Sequence, residues 1–330
     1  MQIVVFGSGA WGTALSLLLH GNGHHVTLWT RRAEKAALLR SRRKNPSLAG
    51  VQLPQELEFT ADPAAAEQAE LVVFVTPSYA LRQTAELATP YIRPGTMIVS
   101  ATKGLEPETN LRMSQIISQT VGKNCPVAVL SGPSHAEEVS RRMATGCVAA
   151  CQDMETAELV QGVFMSEMFR VYTSQDVAGV ELCGATKNIV ALGCGIIDGL
   201  ALGDNARALF MTRALSEISG LCKKSGADPV TCYGLAGMGD LIVTCTSTHS
   251  RNYRAGLFIG KGAPAEQALQ EIGAVVEGYY AAGSIRELAA KLGAEMPICQ
   301  CIYDILYEAA DPEASLRALM TRVGKSEIIF

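Results

Sequence analysis

Three groups of residues have the types and spacing to do chemistry. The first is Gly7-Ser8-Gly9-Ala10-Trp11-Gly12, a G-x-G-x-x-G segment close to the start of the chain. In a strand–turn–helix setting the first glycine permits a tight turn, the second lets backbone approach a pyrophosphate, and the third lets helix and strand pack closely. The helix start then offers free N–H groups and a partial positive charge to phosphate. The second group is a pair of lysines. Lys103 lies in Ser100-Ala101-Thr102-Lys103-Gly104, and Lys187 in the apolar run Gly184-Ala185-Thr186-Lys187-Asn188-Ile189-Val190-Ala191. A charge inside an apolar helix is costly unless it is paired or functional, and a held lysine can protonate a carbonyl oxygen as hydride reaches its carbon. Snorkelling to the surface is the other reading of Lys187, and an exposed loop that of Lys103. The third group is Asp240 and Thr244, four apart, followed by Ser250-Arg251-Asn252. Ser250 is placed to cap a helix starting at Arg251, and a guanidinium beside a helix start suits phosphate.

The second strand bears on which dinucleotide fits. A site for NAD carries Asp or Glu about 20 residues beyond the glycines to hold the ribose 2′-hydroxyl. Here the strand runs out as Leu28-Trp29-Thr30-Arg31-Arg32, with two guanidinium groups and no carboxylate. Arginine stays charged and donates bidentately, which suits a 2′-phosphate. NADP(H) is therefore the expected cofactor, with NAD(H) as a second. Arg32 alone could merely solvate a helix start, and Trp11 could cover the pyrophosphate or pack in the core. The histidines compete poorly with the lysines. His20, His24 and His25 fall at the far end of the first helix, His249 is in a loop, and only His135 is near the expected crevice.

Elements must position these groups. Short, continuous, β-branched runs at 3–6, 25–29, 71–75, 97–100, 127–130 and 147–150 predict strands buried on both faces, with 57–60 as a short edge strand. Helical patterns at 11–20 and 33–39 lie between them. This is the pattern of an α/β, doubly wound, mostly parallel Rossmann-type sheet, and Lys103 falls just past a strand's carboxyl end, where ligands bind in such sheets. Strand signals stop after about Asp176. Helical patterns follow at 181–197, 206–224, 265–270, 279–292 and 297–307. The expected division is a dinucleotide-binding domain, 1–179, and an all-helical substrate domain, 180–330. Gly184, Ala191 and Gly195 fall near one helix face, kept small as if for a ligand's approach.

Bulk properties fit. The 330 residues suit two domains. With 48% hydrophobic and 18% charged residues and a net charge of −4, nothing points to nucleic acid or an anionic membrane. The sequence shows no signal peptide, and the apolar runs are broken by Gly or charge, so no membrane span is expected and the location expected is cytoplasmic. The ten cysteines are scattered without a C-x-x-C, which argues against zinc and for reduced, core-filling thiols. Apolar helix faces in the second half are compatible with a homodimer.

Taken together, Gly7-Ser8-Gly9-Ala10-Trp11-Gly12, Ala101-Thr102-Lys103-Gly104, Leu130-Ser131-Gly132-Pro133-Ser134-His135-Ala136, Ala185-Thr186-Lys187-Asn188, Leu235-Ala236-Gly237-Met238-Gly239-Asp240-Leu241, Ser250-Arg251-Asn252 and Val276-Glu277-Gly278 resemble the NAD(P)-dependent glycerol-3-phosphate dehydrogenases of the soluble, bacterial type. The resemblance spans nearly the whole chain. It implies interconversion of dihydroxyacetone phosphate and sn-glycerol 3-phosphate, which supplies phospholipid synthesis. It implies that Lys187 is the proton donor and acceptor, and that Lys103 touches substrate and cofactor. Gly132, Ser134, Asn188, Asp240, Thr244, Ser250, Arg251 and Asn252 are its substrate positions. Gly7, Gly9, Ala10, Trp11, Gly12, Arg31, Arg32, Ala136, Arg251, Val275 and Glu277 are its cofactor positions, and no metal is implied. Some relatives carry Ser where Ala10 stands, so only a backbone contact to pyrophosphate is implied there. Other two-domain dehydrogenases also put Lys and Asn on the helix at the domain junction, but without a Ser-Arg-Asn segment in this setting. A Rossmann redox sensor would have no use for Lys103 and Lys187 together.

Overall fold

The computed structural model describes residues 1–122, 124–324, 326 and 327. Eight strands among these residues form one sheet: β1 (Gln2–Phe6), β2 (His25–Trp29), β3 (Glu58–Thr60), β4 (Leu71–Phe74), β5 (Met97–Ser100), β6 (Val127–Ser131), β7 (Thr145–Ala150) and β8 (Phe169–Ser174). Their order is β3-β2-β1-β4-β5-β6-β7-β8. From β3 to β6 all pairs are parallel; β7 runs antiparallel to β6, and β8 parallel to β7. The chain leaves β1 toward β2 and returns on the other side at β4. The strand order therefore reverses at β1 and β4, and a crevice opens at their carboxyl ends.

The apolar runs are continuous because both sheet faces are covered. Ile3, Val5, Leu28 and Val73 point into one core with α1 (Ala10–Gly21), α2 (Ala33–Arg42), α5 (Ala136–Val139) and α6 (Met154–Phe164). Val4, Phe6, Trp29, Val72 and Phe74 point into the other, beneath α3 (Leu81–Ala88) and α4 (Met113–Thr120). The period of two in a strand sorts alternate residues to the two faces.

β8 was not among the expected strands. Its sequence alternates buried and exposed positions, Phe169 and Val171 inward and Arg170 and Tyr172 outward. It is a half-covered edge strand, so it lacks the solid apolar run of its neighbours.

Beyond β8 the chain is helical: α7 (Val177–Gly199), α8 (Asp204–Lys224), α9 (Asp240–Thr246), α10 (Arg251–Gly260), α11 (Ala265–Ile272), α12 (Glu277–Leu292), α13 (Pro297–Tyr307) and α14 (Pro312–Met320). Residues 179–197 of α7 are all buried; α8, α9, α10, α12 and α13 pack around it. Against expectation, α7 is long and apolar enough to cross a membrane by length and composition. Its glycines and single lysine do not interrupt the helix, and its apolarity is accounted for by complete burial in the helical core.

Candidate functional site

The glycine turn is built as its spacing requires. Gly7 leaves β1 at φ +131°, and a Cβ there would strike the Val75 carbonyl; a Cβ on Gly12 would strike the Gly7 carbonyl. At Gly9 a Cβ would meet nothing within 4 Å, so the turn's outer face is open. Gly9 precedes Ala10, where α1 begins without a side-chain cap. The first-turn N–H groups therefore face the crevice unclaimed by any capping side chain. The Ser8 carbonyl is anchored by Lys35 Nζ (2.7 Å) and Asn45 Nδ2 (3.1 Å), and Asn45 also donates to Thr13 Oγ1 (2.6 Å). Sequence reasoning missed both anchors. Lys35 carried a faint signal, one helical turn from Arg31; Asn45 carried none.

Trp11 is half-buried and packs on the core beside β1. Its Nε1 is buried and unpartnered, as are Thr76 Oγ1 after β4, Ser100 Oγ ending β5 and Ser131 Oγ ending β6. Buried polar atoms are normally bonded, and these four lie along the carboxyl edge of the sheet. Open backbone at Gly9, a free helix start and polar atoms wanting partners fit a dinucleotide. Arg31 and Arg32 are exposed beyond β2, with Arg32 at the N-cap of α2. A hollow of about 530 Å³ opens there between Arg32, Lys35, Leu38 and Asn45.

The lysines meet at one carboxylate. Lys103 Nζ donates to Asp240 Oδ2 (2.7 Å) and the Gly132 carbonyl (3.0 Å). Lys187 Nζ donates to Asp240 Oδ1 (2.5 Å) and Thr244 Oγ1 (2.8 Å). Thr244, one turn along α9, donates to the Asp240 carbonyl at 2.6 Å. The Asp240 side chain is 1% exposed and that of Lys187 8%. Burial lowers the Lys187 ammonium to about 8, helped by the Lys103 charge and opposed by Asp240. Burial alone would raise the Asp240 carboxyl, but the two ammonium groups outweigh it and hold it below its usual range. Two cations on one anion leave an excess positive charge in a sheltered site, suited to an anion or to an oxygen becoming one.

Three elements set this geometry. Lys103 follows β5, held by Thr102 Oγ1 donating to the Thr76 carbonyl (3.0 Å). Lys187 sits mid-α7, which comes close to the sheet because Gly184 faces Ser131 and Lys103; a Cβ there would lie 3.0 Å from Ser131 Oγ. Asp240 begins α9 directly after a π-helical turn, Leu235–Gly239, a rare geometry found mostly at functional sites.

The other expected residues surround this centre. The Gly132 carbonyl accepts from both Lys103 and Ser134 Oγ (2.9 Å), and Ala136 begins α5 beside them. Ser250 caps α10 by accepting from the Tyr253 N–H (3.2 Å), leaving Arg251 exposed at the helix start. Asn188 Oδ1 accepts from Asn252 Nδ2 (3.0 Å), and Asn252 Oδ1 accepts from the Gly278 N–H (2.8 Å), so this pair ties α7, α10 and α12 together. Ser78, past β4, donates to Glu277 Oε2 at the start of α12 (2.9 Å). Burial raises the Glu277 carboxyl, with Ser78 and the Arg251 charge opposing. Val275 is half-buried just ahead of it. The Ser78–Glu277 bridge was not foreseen.

Family models match both halves of the chain: the NAD-dependent glycerol-3-phosphate dehydrogenase N-terminus over residues 2–157 and the C-terminus over 176–317. The chain belongs to the NAD-dependent glycerol-3-phosphate dehydrogenase family. It is 49% identical over 329 residues to the glycerol-3-phosphate dehydrogenase [NAD(P)+] of Moorella thermoacetica, covering 99% of this chain and 98% of the relative. It is 47% identical over 328 residues to that of Desulfitobacterium hafniense, covering 99% and 93%. The crystal structure of glycerol-3-phosphate dehydrogenase from Coxiella burnetii superposes with a TM-score of 0.94 at 36% identity, over 97% of this chain and 99% of that one.

In this dehydrogenase-family chain the small face of α7 is not open to a ligand beyond Gly184. Gly195 lies against the Tyr253 carbonyl of α10, Gly256 of α10 lies against the Leu192 carbonyl, and Ala191 is fully buried. The face is small because two helix backbones meet there, and spacing alone does not distinguish that from room for a ligand.

Proposed function

We propose that this glycerol-3-phosphate dehydrogenase-family chain reversibly reduces dihydroxyacetone phosphate to sn-glycerol 3-phosphate with NADP(H) or NAD(H), in the cytoplasm, supplying phospholipid synthesis. The observation that carries the reading is the sharing of buried Asp240 by Lys187 and Lys103 at the sheet's carboxyl edge. A bound nicotinamide dinucleotide would supply or accept the hydride. Gly7, Gly9, Ala10, Trp11 and Gly12 would hold its pyrophosphate, Arg31 and Arg32 a 2′-phosphate, and Ala136, Val275 and Glu277 its remaining edge.

Lys187 Nζ gives its proton to the keto oxygen, and takes it back in the reverse direction. Lys103 adds a second positive charge to the oxygen on which negative charge collects. Asp240 and Thr244 fix where both ammonium groups stand. Arg251, with Ser250 and Asn252, holds the substrate phosphate at the start of α10, with Gly132, Ser134 and Asn188 lining the approach. Remote binding of that phosphate orients the reacting carbon. The division of labour follows a boundary at 179/180, the sheet carrying the cofactor and the helices the substrate. Apolar Leu202 and Leu209, exposed near the start of α8, support a homodimer.

The test is spectrophotometric. NADPH absorbance should fall when dihydroxyacetone phosphate is added, and with NADP+ it should rise on adding sn-glycerol 3-phosphate but not on adding the alcohol substrates of other two-domain dehydrogenases, 3-hydroxyacids or 6-phosphogluconate. Binding of NADPH without turnover of any of these would overturn the reading in favour of a redox sensor.

A further inference from the structure

Three cysteines far apart in sequence meet inside the helical core. Cys183 is on α7, Cys222 near the end of α8, and Cys232 in the short 3-10 segment Pro229–Tyr233. Cys183 Sγ lies 3.4 Å from Cys232 Sγ, which lies 3.5 Å from Cys222 Sγ, and all three sulfurs are within 4.8 Å of one another. All are free and buried, and they form the sole such grouping of potential ligands among the described residues. The proposed dehydrogenase chemistry uses none of them.

An ion with bonds to sulfur near 2.3 Å and pyramidal to tetrahedral angles spaces its sulfurs roughly 3.4–3.8 Å apart. Two of the three separations already stand at that spacing, and the third is within 4.8 Å. Charge then selects the ion. Asp176 lies alongside, accepting from Thr231 Oγ1 (2.6 Å) and the Asp228 N–H (3.1 Å). Asp176 and Asp228 are the charged groups whose fields reach Cys232. Three thiolates around Zn²⁺ would leave a net negative charge in an apolar core beside those carboxylates, and zinc would lack its usual fourth ligand. Three thiolates around Cu⁺ would leave still more. A trivalent ion leaves none.

We infer that Cys183, Cys222 and Cys232 form a neutral three-thiolate site for trivalent arsenic, entered by arsenous acid. The step balances without redox change. Three S–H and three As–O bonds break, three As–S bonds form, and each released proton leaves with one hydroxide as water. Arsenic stays trivalent and no charge is created in the core. Entry is through the Pro229–Tyr233 segment, whose Val230 and Tyr233 side chains are 66% and 59% exposed; local opening of such a surface turn costs far less than global unfolding.

The experiment uses the full chain, kept reduced with a phosphine, incubated with arsenous acid under native conditions and freed of excess. We expect one arsenic per chain, an intact mass raised by one arsenic less three hydrogens, and an X-ray absorption spectrum showing three sulfurs at one distance. Cys222→Ser and Cys232→Ser should each retain less than a tenth of the arsenic, while Cys125→Ser in the sheet domain retains it all. A wild-type spectrum with two sulfurs and one oxygen, or full retention in both trio variants, would overturn the assignment. So would stoichiometric uptake of Zn²⁺ or Cu⁺ by protein that takes no arsenic. The wild-type spectrum decides the matter even where a variant fails to fold.

Discussion

At the residue scale the proposed chemistry rests on the proton state of Lys187. With its ammonium brought down to about 8 by burial, the proton donor needed for reduction is lost as pH rises through that value, and the base needed for oxidation appears. We therefore expect kcat/KM for dihydroxyacetone phosphate reduction to fall above about pH 8 and kcat/KM for glycerol phosphate oxidation to rise through the same region. Parallel profiles in the two directions would assign the titration to another group. Lys187→Ala should lower kcat by about 10² or more with the fold intact, whereas near-normal kcat removes it as the acid. The arginines beyond β2 allow an independent check. Arg31→Ala with Arg32→Ala should weaken NADPH binding far more than NADH binding, measured by titration of cofactor fluorescence. Equal losses would mean that neither guanidinium meets a 2′-phosphate. Much of this was legible in sequence: lysine within an apolar run and arginine where a carboxylate would serve NAD both break a local pattern. Asp240 as shared counter-ion was less so, because it lies 53 residues from Lys187 and 137 from Lys103. Lys35 and Asn45 act through the Ser8 backbone and break no pattern at all.

At the scale of elements, helix starts and helix contacts place the groups. Ser250 caps α10, as its position ahead of the helix implied, and puts Arg251 where helix N–H groups and a guanidinium converge. The proposed charge-assisted pair with the substrate phosphate would contribute about 1.5–3 kcal/mol, so Arg251→Ala should lower kcat/KM for dihydroxyacetone phosphate roughly ten- to hundred-fold. Turnover of dihydroxyacetone, which has no phosphate, should hardly change; equal losses on both substrates would move Arg251 to the cofactor or the fold. The small face of α7 invites a different test. Gly195 meets the backbone of α10, so Gly195→Val should destabilise the protein by at least the overpacking range of about 1–3 kcal/mol, seen as a lower denaturation midpoint. A neutral outcome would mean that α7 and α10 are not in backbone contact. Helical spacing revealed that this face is small but not what lies against it, because ligand and neighbouring helix impose the same demand. The edge strand β8 escaped notice for a related reason: exposure of Arg170 and Tyr172 dilutes its apolar signal.

At the scale of the whole molecule, the site exists only where sheet and helices meet. Lys103 reaches Asp240 across that junction, Ser78 reaches Glu277, and Asn110 Nδ2 donates to Glu287 Oε2 at 3.0 Å. A further buried fastening is Glu181 on α7. Its carboxylate accepts from the Ser114 N–H (2.7 Å), from Ser114 Oγ (2.6 Å) and from Arg112 Nη1 (2.5 Å), so it closes the start of α4. Removing one member of a buried pair leaves its partner uncompensated. Because the Arg112 side chain is 22% exposed, water can recover part of that loss, and Glu181→Ala should cost roughly 2–4 kcal/mol rather than the full buried-pair penalty. The consequence should extend beyond stability. Glu181 stands six residues before Lys187 on the same helix and touches neither lysine. Loosening it lets α7 drift from the sheet, which should raise KM for cofactor and substrate together while the pH dependence attributed to Lys187 keeps its midpoint. Glu181→Gln should recover much of the lost stability, since an amide oxygen can still accept from Ser114. Should Glu181→Ala lower the denaturation midpoint but leave both KM values unchanged, the junction would be held by the remaining contacts, and the lysines would keep their register without this fastening.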